Sequence, residues 1–153
     1  MALPLGVVSL TEKYFAAKHR KNDELFNCRD KITAELLKLG KSKVNIERCL
    51  AVAGTPTTLA CLKKGMTEYF EEQIEGQVLT KSDLIEFVDE LSTLNPNEIR
   101  VKYNNVVQGR EDLILTGTLL LLQCLEYLDI EMVEVSTRGL RYGRIYEFFT
   151  NDY

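Results

Sequence analysis

The sequence predicts an α/β domain, and three observations carry that prediction. Short apolar runs of strand length stand at residues 3–8, 50–53 and 131–135. Stretches with helical spacing lie between them, so every route from strand to strand passes through helix, the pattern of a layer with partly parallel strands. Helix-start chemistry recurs where the apolar period changes: a hydroxyl or amide residue followed by an acid or a proline.

Residues 3–8 read as the first strand, ended by a capping box at Ser9 and Glu12 that starts a short helix through Ala17. The polar turn at 19–22 breaks it. The second helix carries Leu25, Cys28, Ile32, Leu36 and Leu39 at helical spacing and stops at Gly40. Residues 50–53 form a short buried strand that turns at Gly54. Thr55 supplies a hydroxyl cap and Pro56 takes the first helical position, where its missing N–H costs nothing, and the helix runs over 57–64. Residues 66–79 are connection, with a brief extended piece at 77–79. Thr80 and Asp83 cap a helix through Leu91, and Asn95-Pro96 starts another to about residue 105. Residues 110–128 make the longest and most apolar helix, 131–135 a strand, and 140–149 a closing helix.

At 153 residues, with no repeat or linker, residues 1–153 are expected to form one domain with a proper core. A net charge of −4 argues against broad binding to nucleic acid, which needs a cationic face. Lys38, Lys41 and Lys43 cluster around Gly40 as an ordinary solvated loop would. Cys28, Cys49, Cys61 and Cys124 show no C-x-x-C pairing and the single histidine is His19, so a zinc site is not expected. Cysteines set among apolar residues are expected to be buried reduced thiols, which places the chain in the cytoplasm. The first ten residues lack the basic start and length of a signal peptide. The greasiest stretch, 113–122, is too short to span a bilayer.

The most informative stretch is Arg48-Cys-Leu-Ala-Val-Ala-Gly-Thr-Pro-Thr-Thr-Leu-Ala60. A strand, glycine turn and helix start together aim backbone N–H groups and a positive dipole end at one point, an arrangement that receives anions. A strand-to-helix turn with no ligand reads the same way locally. Further along stand Glu68-Tyr-Phe-Glu-Glu-Gln-Ile-Glu-Gly-Gln-Val-Leu-Thr80, Gly109-Arg-Glu-Asp-Leu-Ile-Leu-Thr-Gly117 and Ser136-Thr-Arg-Gly-Leu-Arg-Tyr-Gly-Arg-Ile145. In this order and at these spacings, the segments resemble the second lobe of the exopolyphosphatase and guanosine pentaphosphate phosphohydrolase (Ppx/GppA) family. That family carries a GT-x-T-x-LA turn, a Y…(H)G-x-x-LT segment, an R-x-D-x-I-x-x-G helix and a V-S-x-x-GLR-x-G ending. Leu3-Pro-Leu-Gly-Val-Val-Ser-Leu-Thr-Glu12 is similar to its SLPLG-x-V-x-LTE segment. The resemblance runs from about Leu3 to Glu147.

The resemblance implies an actin-like (RNase H-like) lobe, a mixed sheet of few strands flanked by helices. The aspartate–glycine phosphate loops and the glutamate base of such enzymes have no counterpart, for the sequence holds no D-x-G-S, no GGGS and no adjacent glycines. The lobe's first hairpin is thus expected to be missing, leaving the first strand with an unpaired edge that another chain, a swapped copy or the missing first lobe would cover.

By the same resemblance, Gly54 and Thr55 face a cleft between lobes, and Arg110 and Arg141 are further candidates for phosphate or nucleotide contact. Arg110 at the start of a helix is opposed by the dipole, so it is expected to meet an anion or a carboxylate such as Asp112. Arg138, Arg141 and Arg144 surround Gly139 and Gly143, a density that suits a polyanion or ordinary surface charge. The family usually has glutamate where Tyr142 stands, and often histidine where Glu75 stands. Glu86, Asp89 and Glu90 share one helix face and read as solvated. No catalytic residue is expected in this chain, and no metal ligand. Mg2+ is implied as the family's cofactor, with its ligands elsewhere.

The expected function is to contribute the second lobe of the cleft of a phosphoanhydride hydrolase acting on polyphosphate or a guanosine polyphosphate. The isolated chain would be inactive and would form homo-oligomers. The alternative is a non-catalytic regulatory or dimerising module with the same lobe fold. Neither nucleic acid nor membrane is an expected partner.

Overall fold

The structure, a computed structural model, describes residues 3–15, 22–40, 46–139, 142, 143 and 148. Among these it has α1 (Val7–Tyr14), α2 (Asn22–Leu37), β1 (Leu50–Val52), α3 (Gly54–Lys63), α4 (Glu71–Ile74) and β2 (Val78–Thr80). There follow α5 (Lys81–Ser92), α6 (Pro96–Tyr103), a 3-10 turn at Asn104–Val107, α7 (Ile114–Leu128) and β3 (Met132–Ser136).

The three strands form one mixed sheet in the order β1-β3-β2. β1 runs parallel to β3 with Val52 opposite Ser136, and β2 runs antiparallel to it with Leu79 opposite Val133. Side chains alternate across a strand, so Ala51, Leu79, Val133 and Val135 share the buried face while Leu50, Val52, Val78 and Met132 lie exposed on the other. The α/β layer with partly parallel strands is therefore as the sequence implies.

α7 is the central beam, packed against α5, α2, α3 and α1. Its buried side runs from Ile114 to Leu125 through Leu115, Leu119 and Leu122, which only a helix covered on several sides can show. Of the two capping boxes expected from sequence, the one at Thr80 and Asp83 is present and the one at Ser9 and Glu12 is not, because Ser9 already lies inside α1; a further box forms at the expected helix start at Asn95. The Thr80 hydroxyl accepts from the Asp83 N–H while the Asp83 carboxylate accepts from the Thr80 N–H, and Asn95 and Glu98 pair in the same way ahead of Pro96.

Five expectations are corrected. Residues 3–8 are not a strand: Gly6 caps α1, and the Ser9 hydroxyl donates to the Gly6 carbonyl at 3.0 Å from inside the helix. Pro4 has no N–H for a ladder, whereas a helix from Val7 buries Leu10 and Thr11 and sets the Thr11 hydroxyl 2.7 Å from that of Thr116. The unpaired edges among the described residues thus belong to β1 and β2, which each pair only with β3, and not to the first segment. Thr55 does not cap α3, because the helix already begins at Gly54 and the cap position is Ala53. Arg110 does not begin α7; it lies in the turn four residues earlier, its carbonyl accepting from the N–H groups of Leu113 and Ile114. Glu90 is not merely solvated: it accepts from the Tyr103 hydroxyl at 2.5 Å and pairs with Lys102, joining α5 to α6.

The closing helix at 140–149 falls mostly outside the described residues, though Tyr142, Gly143 and Phe148 are helical. Cys28 and Cys61 are buried and Cys49 and Cys124 half-buried, all free thiols, and burial pushes the Cys28 thiol up to about 11. No helix among the described residues is long and apolar enough to cross a membrane.

Candidate functional site

Parallel β1 and β3 end side by side, and the chain leaves both at the same edge of the sheet. That edge, beyond the carboxyl ends of the strands, is where open α/β sheets bind ligands. The β1 exit carries Ala53, Gly54 and Thr55; the β3 exit carries Ser136, Thr137 and Arg138.

Ala53 adopts φ 81°, ψ −170°, a region almost reserved for glycine. Holding alanine there costs on the order of 1–3 kcal/mol, so the surrounding packing must impose it. The effect is a turn sharp enough to start α3 with no side-chain cap. Inside the helix, the Thr57 hydroxyl lies 3.0 Å from the Ala53 carbonyl and 3.1 Å from that of Gly54, so it closes the first turn from within. Pro56 contributes no N–H.

Arg110 lies across this turn. Its Nη1 donates to the Thr58 hydroxyl at 2.8 Å and to the Gly54 carbonyl at 3.4 Å. A Cβ at Gly54 would come within 2.8 Å of the guanidinium carbon, so glycine is what lets the guanidinium settle on the backbone. Among the described residues no carboxylate pairs with Arg110; the adjacent Glu111 turns to Arg100 instead, at 3.7 Å. A guanidinium thus rests on the positive end of a helix, two like potentials unopposed by an acid, and that is the electrostatics of an anion site. Thr55 does something else: it faces α7, where a Cβ at Gly117 would lie 2.3 Å from its hydroxyl oxygen.

The other side of the edge is acidic. Glu75 accepts from the Thr137 N–H at 2.6 Å, from the Thr137 hydroxyl at 2.6 Å and from the Ser136 hydroxyl at 3.0 Å. These bonds, that from the Thr137 side chain first, hold its carboxyl below the usual range. Glu71 lies 3.1 Å from the Thr137 hydroxyl and accepts from Tyr142 at 3.2 Å. Tyr69 stands between the two sides: burial and then Glu71 raise its hydroxyl above the ordinary value, and Arg110 opposes them. No group of three or more His, Cys, Asp or Glu converges among the described residues.

Of the four residues singled out from sequence, Gly54 and Arg110 thus meet at one edge, Thr55 turns its side chain to α7, and Arg141 lies outside the described residues. Sequence reasoning gave no role to Thr58, Glu75 or Gly117. Gly117 does end the quoted R-x-D-x-I-x-x-G segment, and a glycine inside so apolar a helix is a usable signal of close approach.

The fold superposes on crystal structures of the Aquifex aeolicus Ppx/GppA family member. One matches with a TM-score of 0.90 and 28% identity, over 100% of this chain and 49% of that one. Another, a type II variant, matches with a TM-score of 0.87 and 29% identity, over 95% of this chain and 47% of that one. A bifunctional 3-dehydroquinate synthase/phosphatase from Fusobacterium nucleatum is 28% identical over 99% of this chain and 23% of its own length. The chain therefore spans about half the length of the structures it matches and less of the bifunctional protein. The Ppx/GppA phosphatase family matches residues 1–151, and the chain belongs to that family.

Proposed function

We propose that the chain forms one wall of the phosphate-binding cleft of a phosphoanhydride hydrolase, of the exopolyphosphatase or guanosine pentaphosphate type. A further polypeptide segment completes the cleft and supplies the group that activates water. The observation that carries this reading is the Arg110 guanidinium, seated on the α3 N-terminus at Gly54 with no acid opposite it among the described residues. Family membership supplies the ligand class, since phosphate is the anion such an enzyme must hold. The edge of β1, unpaired among the described residues on the side away from β3, suits strand pairing with the completing segment. Family membership implies Mg2+ as the cofactor, and no step here depends on it.

Calorimetric titration with pyrophosphate tests the reading. Half a cleft should bind at about millimolar strength, roughly 4 kcal/mol. Arg110→Ala should weaken binding by about 1.5–3 kcal/mol, the size of a lost charge-assisted hydrogen bond. Unchanged affinity in Arg110→Ala would overturn the reading, as would release of phosphate from polyphosphate by the chain alone.

A further inference from the structure

Parallel pairing of Val52 with Ser136 brings Ala53 level with Thr137, so the turn at Gly54 and the β3 exit are neighbours on one surface. The β3 exit carries three donors in a row, the Ser136 hydroxyl, the Thr137 N–H and the Thr137 hydroxyl, and one carboxylate takes all three. Such a set of hydroxyl and backbone donors at the carboxyl end of a parallel strand is what a phosphate group uses.

We propose that Glu75 is a specificity-determining residue: its carboxylate occupies the donors of Ser136 and Thr137 that the next phosphate of a chain seated at Gly54 would otherwise take. This rests on the reading of the Gly54–Arg110 edge as an anion site. Glu75 reaches the donors from the turn after α4 and is solvent-exposed, so those hydrogen bonds, helped by the nearby Arg138 charge, are what hold it there. Its negative charge also repels a second phosphate, and Glu71 beside it adds to the repulsion. The site therefore favours short phosphate anions over long ones, and removing the carboxylate extends it along the sheet edge.

Amide chemical-shift titration of the chain and of Glu75→Gln and Glu75→Ala, with pyrophosphate and with tripolyphosphate, tests this. In the wild type both anions should shift residues 53–58 and leave the Thr137 amide in place. In Glu75→Ala, tripolyphosphate should also shift Thr137 and bind about tenfold or more tighter, because a charge-assisted hydrogen bond is added and a repulsion removed. Glu75→Gln keeps an acceptor for the Thr137 N–H and loses the charge, so it should show a smaller gain. If Glu75 only braces the β3 exit, both variants bind tripolyphosphate no better than wild type, and the proposal is overturned while residues 53–58 still respond. If residues 53–58 respond to neither anion in any of the three proteins, the anion site itself is wrong and the proposal goes with it.

Discussion

Gly117→Ala is the most informative single change for how the site is built. In the middle of a helix this substitution ordinarily gains about 1 kcal/mol, because alanine is the better helix former. Here the new Cβ would fall 2.3 Å from the Thr55 hydroxyl oxygen, 2.8 Å from Thr55 Cγ2 and 3.1 Å from Thr55 Cβ. Ordinary contact begins near 3.4 Å, so α3 and α7 must part by roughly 1 Å at the point where α3 begins. Neither helix yields easily, since Pro56, Thr57, Thr58 and Leu59 are buried on one and Leu115 to Leu119 on the other. Overpacking of this kind costs about 1–3 kcal/mol, which outweighs the propensity gain over most of that range. Urea unfolding should therefore show a lower midpoint with unchanged slope. Adding Thr55→Ala removes the two nearest atoms and should recover most of the loss, a coupling of about 1 kcal/mol or more in a double-mutant cycle. A Gly117→Ala protein more stable than wild type by about 1 kcal/mol would refute the close approach of α3 to α7.

Ala53→Gly should be neutral to stabilising by about 2 kcal/mol in urea unfolding, since relief of the φ 81° backbone offsets the chain entropy glycine adds; a clear loss would mean the turn is not strained. Thr55→Val should change stability by less than about 0.5 kcal/mol, because no cap hydrogen bond is lost, whereas a cap residue would cost about 1 kcal/mol. The carboxyls of Glu75 and Glu35 lie below their ordinary value of 4.5, Glu75 through hydrogen bonds from Thr137 and Glu35 through those from Lys31 and Lys38. A depressed folded value stabilises fully above the unfolded one and is lost as pH falls through it, so these two contribute an acid limb below about pH 4.5. Glu75→Gln should flatten that limb, and an identical slope in variant and wild type would count against the Thr137 contacts.

Much of the fold was legible because it rests on local chemistry. Thr80 with Asp83 and Asn95 with Glu98 satisfy helix N–H groups within four residues, and both helix starts were legible, whereas the same signature at Ser9 and Glu12 gave way to a helix that begins earlier, at Val7. The apolar run at 131–135 pointed to β3, and alternation of strands with helices to the mixed sheet. What failed depended on contacts distant in sequence. Residues 3–8 look like a strand by composition, yet the helix forms because Leu10 and Thr11 find α7 more than a hundred residues away. Thr55 looks like a cap until its side chain is seen to fill the gap at Gly117. In the site, Gly54 and Arg110 could be named from motifs, but Thr58 as the anchor of Arg110 could not, being one of several threonines in an apolar helix. Glu75 stood out only as a departure from the family's usual histidine, and its partners, 61 and 62 residues further on, come beside it only when β3 returns.

Whether the Gly54 turn holds an anion with the help of Arg110 is decided by amide chemical-shift mapping of pyrophosphate on wild type and Arg110→Ala. Wild-type shifts should centre on residues 53–58 at millimolar ligand. They should be lost in Arg110→Ala while the spectrum otherwise stays that of the folded chain. Shifts confined to residues 38–43, or equal in both proteins, would contradict the anion site: pyrophosphate would then be meeting a basic loop, and the Gly54 turn would be structural only.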